Sequence, residues 1–389
     1  MKFAHLADCH IGGWREPKLK ELNYNSFSKA IEEIINYKVD FLLVSGDLFN
    51  TSFPSIDALK LVISKFKLLK ENDIPVYYIA GSHDFSPSGK TMLDIIEEAG
   101  LAKDVMRGSI NEGKLKLNFT IDKKTGTKIT GIIGKRGMLD KKYYEILDKE
   151  IEKEDGFKIF MFHTTLTELK PKSMEKSDST EISFLPKNFD YYAGGHVHIV
   201  KSTDIDDYKN IVYPGPTFPN NFSELEELSH GSYALYDNDK IEIKKINLIE
   251  HLSIIINFKE KNPREIYDLI KEKLIDIENK IITIRLNGKI INGKVSDINF
   301  KDLFDHAYSK GAYFIMRNTN ALKLDNLDEI KKEISSVENI EEEIINEHLK
   351  EKKEIAYSLI KTLQSEKDEG EKNADFEDRL INEMEEIIK

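Results

Sequence analysis

The sequence has one cysteine, Cys9, in 389 residues. An intramolecular disulfide is therefore excluded, and so is a zinc site built on several thiolates. It also lacks any run of about 18 apolar residues, which excludes a membrane-spanning helix. The opening MKFAHLADCH has no basic region followed by a long apolar stretch, so no signal peptide is expected. A cytoplasmic protein is the expectation. Positive charge is in short supply as well: 57 Lys and Arg against 69 Asp and Glu give a net charge of −12. That balance is poor for a phosphate-binding surface, which needs cationic side chains. The distribution softens the objection. Residues 341–389 hold 16 acidic and 8 basic side chains, a net of −8, so the first 340 residues carry only −4. Divalent cations at a site would offset more.

The first half of the chain alternates buried strands and amphipathic helices. KFAHLA (2–7), DFLLVSG (40–46) and IPVYYIAG (74–81) are near-continuous apolar runs. Between them, residues 25–37 place Phe27, Ile31, Ile34 and Ile35 on one helical face, and residues 55–71 do so with Leu59, Val62, Ile63, Phe66 and Leu69. Strand, helix, strand at these lengths predicts βαβ units and a parallel sheet covered by helices. Residues 108–134 read as hairpin material. FKIFMFH (157–163), FDYYAGGHVH (189–198) and NIVYPG (210–215) add strands, and 231–247 a last hairpin.

Near 250 the pattern changes to strand 253–258, helix 263–278, strand 280–291, helix 300–311 and strand 313–318, a compact α+β module. A linker is expected near 320–336, a break that includes the polar stretch RNTNALKLDNLDE. Beyond it, Ile340, Ile344, Ile345, Leu349, Ile355, Leu359, Ile360 and Leu363, and then Phe376, Leu380, Ile381, Met384, Ile387 and Ile388, form apolar stripes in a charged helical tail. Such stripes fit a partner's groove or a hairpin packed on its own domain. The expected domains are 1–250, 251–325 and 326–389.

Five of the ten histidines fall at strand ends, in ADCH (7–10), GSHD (81–84), MFHT (161–164) and GGHVH (194–198); SGDLFN (45–50) adds Asp47. A lone histidine there ordinarily packs or caps. Five apolar runs, each stopped by such a motif, are different. Parallel strands share one carboxyl edge, where ligands bind. Alternate residues of an extended segment point the same way, which suits D-x-H and H-x-H. Carboxylates and imidazoles crowded at one edge need a compensating cation. Mixed oxygen and nitrogen donors without thiolate favour manganese, iron or zinc over calcium. Two ions about 3.5–4 Å apart, sharing a bridging carboxylate, would activate water and stabilise a phosphoryl transition state.

The order D-x-H, G-D, G-S-H-D, H and G-H-x-H resembles the calcineurin-like metallophosphoesterase superfamily, over about residues 1–220. The opening MKFAHLADCHIGG, SGDLFN followed by SFPS, and the helical tail resemble, within it, the SbcD-type DNA double-strand-break repair nucleases of the archaeal type. That resemblance implies a layered α/β metallophosphoesterase fold, with central β-sheets flanked by helices, a small α+β capping domain and a helical C-terminal tail. It implies two Mn2+ per chain: one held by Asp8, His10 and His198, with Asp47 bridging to a second held by His163, His196 and Ser82. His83 would stabilise the transition state and help protonate the leaving oxygen, and Asp84 would orient it. Ser82 stands where the superfamily usually has Asn. Asn50 stands where some of the nucleases have a second catalytic His, and it would contact phosphate. Trp14 and Arg15 would contact DNA, or Trp14 would anchor its loop. The implied activity is exonuclease and endonuclease cleavage of DNA. The implied partners are a second copy of the chain and a coiled-coil ABC-type ATPase bound through 337–389. A small-molecule phosphodiesterase or phosphomonoesterase, and a scaffold that regulates the ATPase, remain alternatives.

Overall fold

The structure is a computed structural model. It describes residues 1–324 except 87–88, 136, 138, 172–173 and 175–177, and in the tail 355, 358–359, 362–363 and 373–388. The chain divides into two compact units. The first comprises Met1–Ile256, Tyr267–Leu286 and Asn299–Asn320, and the second Asn257–Ile266, Asn287–Ile298 and Ala321–Lys389.

In the first unit β1 (Lys2–Leu6), α1 (Pro17–Asn36), β2 (Phe41–Ser45), α2 (Ile56–Glu71) and β3 (Val76–Ile79) form the expected βαβαβ succession. β1, β2 and β3 pair in parallel. Helix α1 begins eight residues earlier than the apolar period predicts, with Pro17 in its first turn, where a missing N–H costs nothing. Helix α2 is capped by Ser55, whose Oγ accepts from Ala58 N at 3.3 Å.

The 108–134 region splits. β5 (Arg107–Asn111) and β6 (Lys114–Asn118) form a separate two-stranded ribbon. β7 (Thr120–Ile121) turns into β8 (Lys128–Ile132), which pairs in parallel with β9 (Lys158–His163). β9 pairs with β10 (Tyr191–Gly195), also in parallel, and β10 with β12 (Tyr208–Pro214). β11 (Val200–Ile205) flanks β12. A short β4 (Lys103–Asp104) lies beside β3, while β13 (Gly231–Asp237) pairs antiparallel with β1 and with β14 (Lys240–Ile246), and the short helices α3 (Leu93–Glu98), α4 (Lys141–Glu145) and α5 (Phe222–Leu228) lie in the connections. The result is two six-stranded sheets, ordered β14-β13-β1-β2-β3-β4 and β11-β12-β10-β9-β8-β7.

Period-two alternation explains why these strands look apolar throughout. Phe3, Phe41, Leu43, Tyr77 and Ile79 from the first sheet meet Ile159, Met161, Tyr191, Ala193 and Val212 from the second. The alternate residues Ala4, Leu6, Leu42, Val44 and Tyr78 pack on the other face with Phe27 and Ile31 of α1 and Val62 and Phe66 of α2. Phe160, Phe162 and Tyr192 pack outward on the second sheet with Tyr144 and Leu147.

After residue 250 come β15 (Glu250–Lys261), α6 (Pro263–Lys273), β16 (Lys280–Ile290), α7 (Phe300–Ser309) and β17 (Phe314–Leu324), with the strands in the order β15-β16-β17. Residues 320–324, expected to begin a linker, instead continue β17. A sheet with one solvated face accepts polar residues there. In the tail, Asn373–Ile388 is helical. Most of 337–372, with Ile340, Ile344, Ile345, Leu349 and Ile360, lies outside the described residues. No helix among the described residues is long and apolar enough to cross a membrane.

Candidate metal centre

The carboxyl ends of β1, β2, β3, β9 and β10 deliver the strand-end motifs to one place. Three groups of side chains have donor atoms within 4.8 Å of one another: Asp8 with His10 and His198, Asp47 with His163 and His196, and His10 with Asp47 and His83. Asp47 is common to two of them. Its Oδ2 lies 3.6 Å from His10 Nε2 and 3.2 Å from His163 Nε2. The Nε2 atoms of His10 and His198 face each other at 3.0 Å. His163 Nε2 is buried and, despite its closeness to Asp47, has no aligned hydrogen bond. Its other nitrogen, Nδ1, is satisfied by the Ser45 carbonyl at 2.8 Å. Buried imidazole nitrogens aimed at carboxylates but not hydrogen-bonded to them fit cation ligands. Ser82 Oγ donates to Asp47 Oδ2 across 3.5 Å. Asp84 does not reach the cluster with its oxygens. It accepts from Phe49 N at 3.1 Å and Gly81 N at 2.9 Å, tying the β2 and β3 loops together.

The backbone here is strained. Asp8, His10, Asp47, His196 and His198 all have positive φ, from 41° to 98°. For residues with a Cβ each such conformation costs on the order of 1 kcal/mol or more, and it persists only where the surroundings impose it. The imposing contacts are visible. His196 N donates to Asp8 Oδ1 and His83 N donates to Asp47 Oδ1, each at 2.8 Å. The motif glycines also make room. A Cβ on Gly81 would meet Asp47 Oδ1 at 2.2 Å, and one on Gly46 would meet His163 Nδ1 at 2.2 Å.

The electrostatics call for cations. Burial pushes the His163 imidazole down, but the Asp47 carboxylate, then Asp8 and the Ser45 carbonyl, more than offset it and raise it to about 10. Burial likewise lowers His198, while Asp8 and Glu224 raise it to about 9. Burial also tends to raise Asp47, yet His163 and His10 hold it well below the usual carboxylate range. His10 and His196, by contrast, are driven by burial to about 3 and about 4. Burial raises Asp8 above the ordinary carboxylate range while His198 and His163 pull it back, so carboxylates and imidazoles share protons across the cluster. Divalent cations would replace those protons and take the neutral rings as ligands.

Glu224, in α5 (Phe222–Leu228), was not singled out from the sequence. It accepts from His198 Nδ1 at 2.9 Å. Its one sequence signal is the Asn221-x-x-Glu224 capping pattern, which marks a helix start but not a site. Buried Asn23 of α1 carries no sequence signal of a site either. Its Oδ1 accepts from Gly12 N and its Nδ2 donates to the Cys9 carbonyl, both at 3.0 Å, clamping the loop that carries His10. Trp14 anchors that loop, donating from Nε1 to the Pro219 carbonyl at 2.8 Å beside Leu19, Leu22 and Phe218, while Arg15 is exposed. Asn50 receives His83 Nδ1 through its backbone carbonyl at 2.8 Å.

The calcineurin-like phosphoesterase family matches residues 1–200. Three archaeal proteins, each named DNA double-strand break repair protein Mre11, are similar over much of the chain. The one from Methanococcus maripaludis is 28% identical over 383 residues, covering 93% of this chain and 95% of that protein. That from Methanocaldococcus jannaschii is 31% identical over 320 residues, covering 78% and 79%. That from Archaeoglobus fulgidus is 25% identical over 298 residues, covering 73% and 65%. With residues 1–200 matched and Asp8, Asp47, His163, His196 and His198 gathered at one edge, the chain belongs to the calcineurin-like phosphoesterase family, in its archaeal Mre11 branch.

Proposed function

We propose that this protein is a two-metal, manganese-dependent DNA nuclease that processes double-strand breaks. The observation that carries the reading is Asp47, whose single oxygen Oδ2 lies near both His10 and His163. That is the arrangement a bridging ligand needs. Asp8, His10 and His198 would hold one cation with Asp47. His163, His196 and Ser82 would hold the other.

The two cations would supply the positive charge that polarises a phosphodiester and the acidity that makes water a nucleophile near neutral pH. The chain's own residues do the rest. Burial of the cluster excludes bulk water, so fixed charges act through a low dielectric. His83 Nδ1 donates to the Asn50 carbonyl. That bond keeps a proton on Nδ1 and leaves Nε2 for the departing sugar oxygen, to which the doubly protonated ring would give its Nε2 proton and become neutral. Asn50 accordingly positions His83 through its backbone. Asp84 holds the loop on which His83 sits.

The DNA substrate rests on the relatives named as DNA double-strand break repair proteins, and the coiled-coil ATPase partner, proposed to bind through 337–389, on the resemblance to the SbcD-type nucleases. The test is digestion of labelled duplex DNA, with manganese or with chelator, beside a chromogenic phosphodiester and a phosphomonoester. Manganese-dependent release of nucleotides from duplex DNA supports the reading. Turnover of the small esters alone would make it a small-molecule phosphoesterase. Absence of bound metal would make it a scaffold. Deleting 337–389 should abolish co-purification with the ATPase and leave manganese-dependent turnover.

A further inference from the structure

Helix α5 has seven residues, too few to hold a place by its own hydrogen bonds in water. Its position is set by what it docks against, and it docks on two sides. On one, Glu224 Oε1 accepts from His198 Nδ1 at 2.9 Å, and Glu224 Oε2 accepts from Asn220 N at 2.8 Å. On the other stands Arg285 of β16, in the same compact unit. Its Nε donates to Glu226 Oε2 at 2.9 Å and its Nη2 to the same oxygen at 2.6 Å. The guanidinium also donates to Ser223 Oγ at 3.3 Å and stacks 5.2 Å from the Phe222 ring centroid. Leu225 between them is fully buried in the cluster that contains Ile281 of β16.

An exposed Lys–Glu pair would fix little. This pair differs, because Glu226 is only 10% exposed and a planar guanidinium is directional. A carboxylate on the far nitrogen of a ligating imidazole fixes the ring's orientation and tautomer. One short helix therefore joins the α+β segment after residue 250 to a metal-ligating histidine.

We infer that α5 is a positioning element for the metal centre: Arg285 holds Glu226, the helix carries Glu224, and Glu224 aims His198. Strand β16 thereby sets the geometry of the Asp8, His10 and His198 group and leaves the Asp47, His163 and His196 group alone. The inference rests on the two-metal reading above.

The full chain, stripped of metal, is titrated with Mn2+ by calorimetry and with Co2+ by visible absorption. Arg285→Ala and Glu226→Gln should each weaken one ion about 10-fold and leave the other unchanged. The double variant should be no worse than the poorer single one. Glu224→Gln should weaken the same ion, and only one of the two cobalt spectra should change. Arg285→Lys, which keeps charge but loses the fork, should recover part of the affinity. If Arg285→Ala melts far below the natural protein in its metal-free form, Arg285→Lys carries the test and must weaken that one ion alone. Unchanged affinities in the Arg285 variants, or equal weakening of both ions, would overturn the coupling while two ions still bind the natural protein. A natural protein that takes up no divalent ion is a different result; it would overturn the two-metal reading and this inference with it.

Discussion

His83 Nδ1 lies 2.8 Å from the backbone carbonyl oxygen of Asn50, an atom that can only accept a hydrogen bond. The proton on Nδ1 is therefore fixed, and Nε2 is the nitrogen left for chemistry. His83 also belongs to a group with His10 and Asp47 close enough to share a cation, so the roles of ligand and proton donor compete. We expect His83→Ala to lower kcat on a phosphodiester at least about 100-fold, the usual worth of a general acid or a preorganised electrostatic group. Two manganese ions should still bind in calorimetry. Loss of an ion together with activity would make His83 a ligand.

Ser82 reaches Asp47 Oδ2 only at 3.5 Å, and its hydroxyl is shorter than the amide that the superfamily usually places there. Ser82→Asn is expected to raise affinity for the second ion by about 10-fold, the lower range for ligand-shell changes. The comparison is a two-site titration of both proteins. Two equally tight ions in the natural protein would remove the premise.

Gly81→Ala should strip both ions rather than one. The added methyl would sit 2.2 Å from Asp47 Oδ1 and 2.3 Å from Asp47 N, so the shared carboxylate must move. Overpacking of this kind typically costs about 1–3 kcal/mol. Metal content after dialysis, measured beside the melting temperature, checks it. A variant that melts lower but retains two ions would show that Asp47 relocates without loss of function.

Much of this centre is legible in the sequence, because a parallel sheet sends every strand's carboxyl end to the same edge. Asp8, His10 and Asp47 end apolar runs in one sheet and His163, His196 and His198 in the other, so parallel pairing gathers each trio, while the meeting of the two trios depends on how the sheets pack. What the sequence hides is held by side chains from elsewhere. Glu224 and Asn23 are ordinary helix residues whose roles depend on where α5 and α1 dock. The glycines of SGD and GSHD read as turn signals, but their work is to leave room for Asp47 and His163. Trp14 could be read either way, and its indole bond to Pro219 makes it an anchor. Residues 320–324 belong to a strand that composition alone does not reveal, because polar residues suit a loop and a solvated strand face equally.

Acid stability depends on a histidine outside the candidate metal cluster. His5, in the middle of β1, is fully buried between the sheets, with Nδ1 3.1 Å from the Tyr191 hydroxyl. Burial drives its imidazole from 6.5 down to about 3. The folded state therefore keeps His5 neutral at pH values where the unfolded chain protonates it. The stabilisation is complete above about pH 6.5 and is lost progressively as pH falls from there towards 3, because the unfolded state gains the proton first. At pH 5 the loss from this one group is about 2 kcal/mol, from about 1.4 kcal/mol per unit of pKa. His5→Asn cannot titrate and keeps a polar atom near Tyr191. It should be less stable at pH 7.5, since it leaves part of the ring's space unfilled. Its stability should nevertheless fall less steeply between pH 6.5 and 5, by about one proton. Urea unfolding of both chelator-treated proteins across that range gives the two slopes directly. Identical slopes would mean that His5 is protonated in the folded state, with its charge compensated between the sheets.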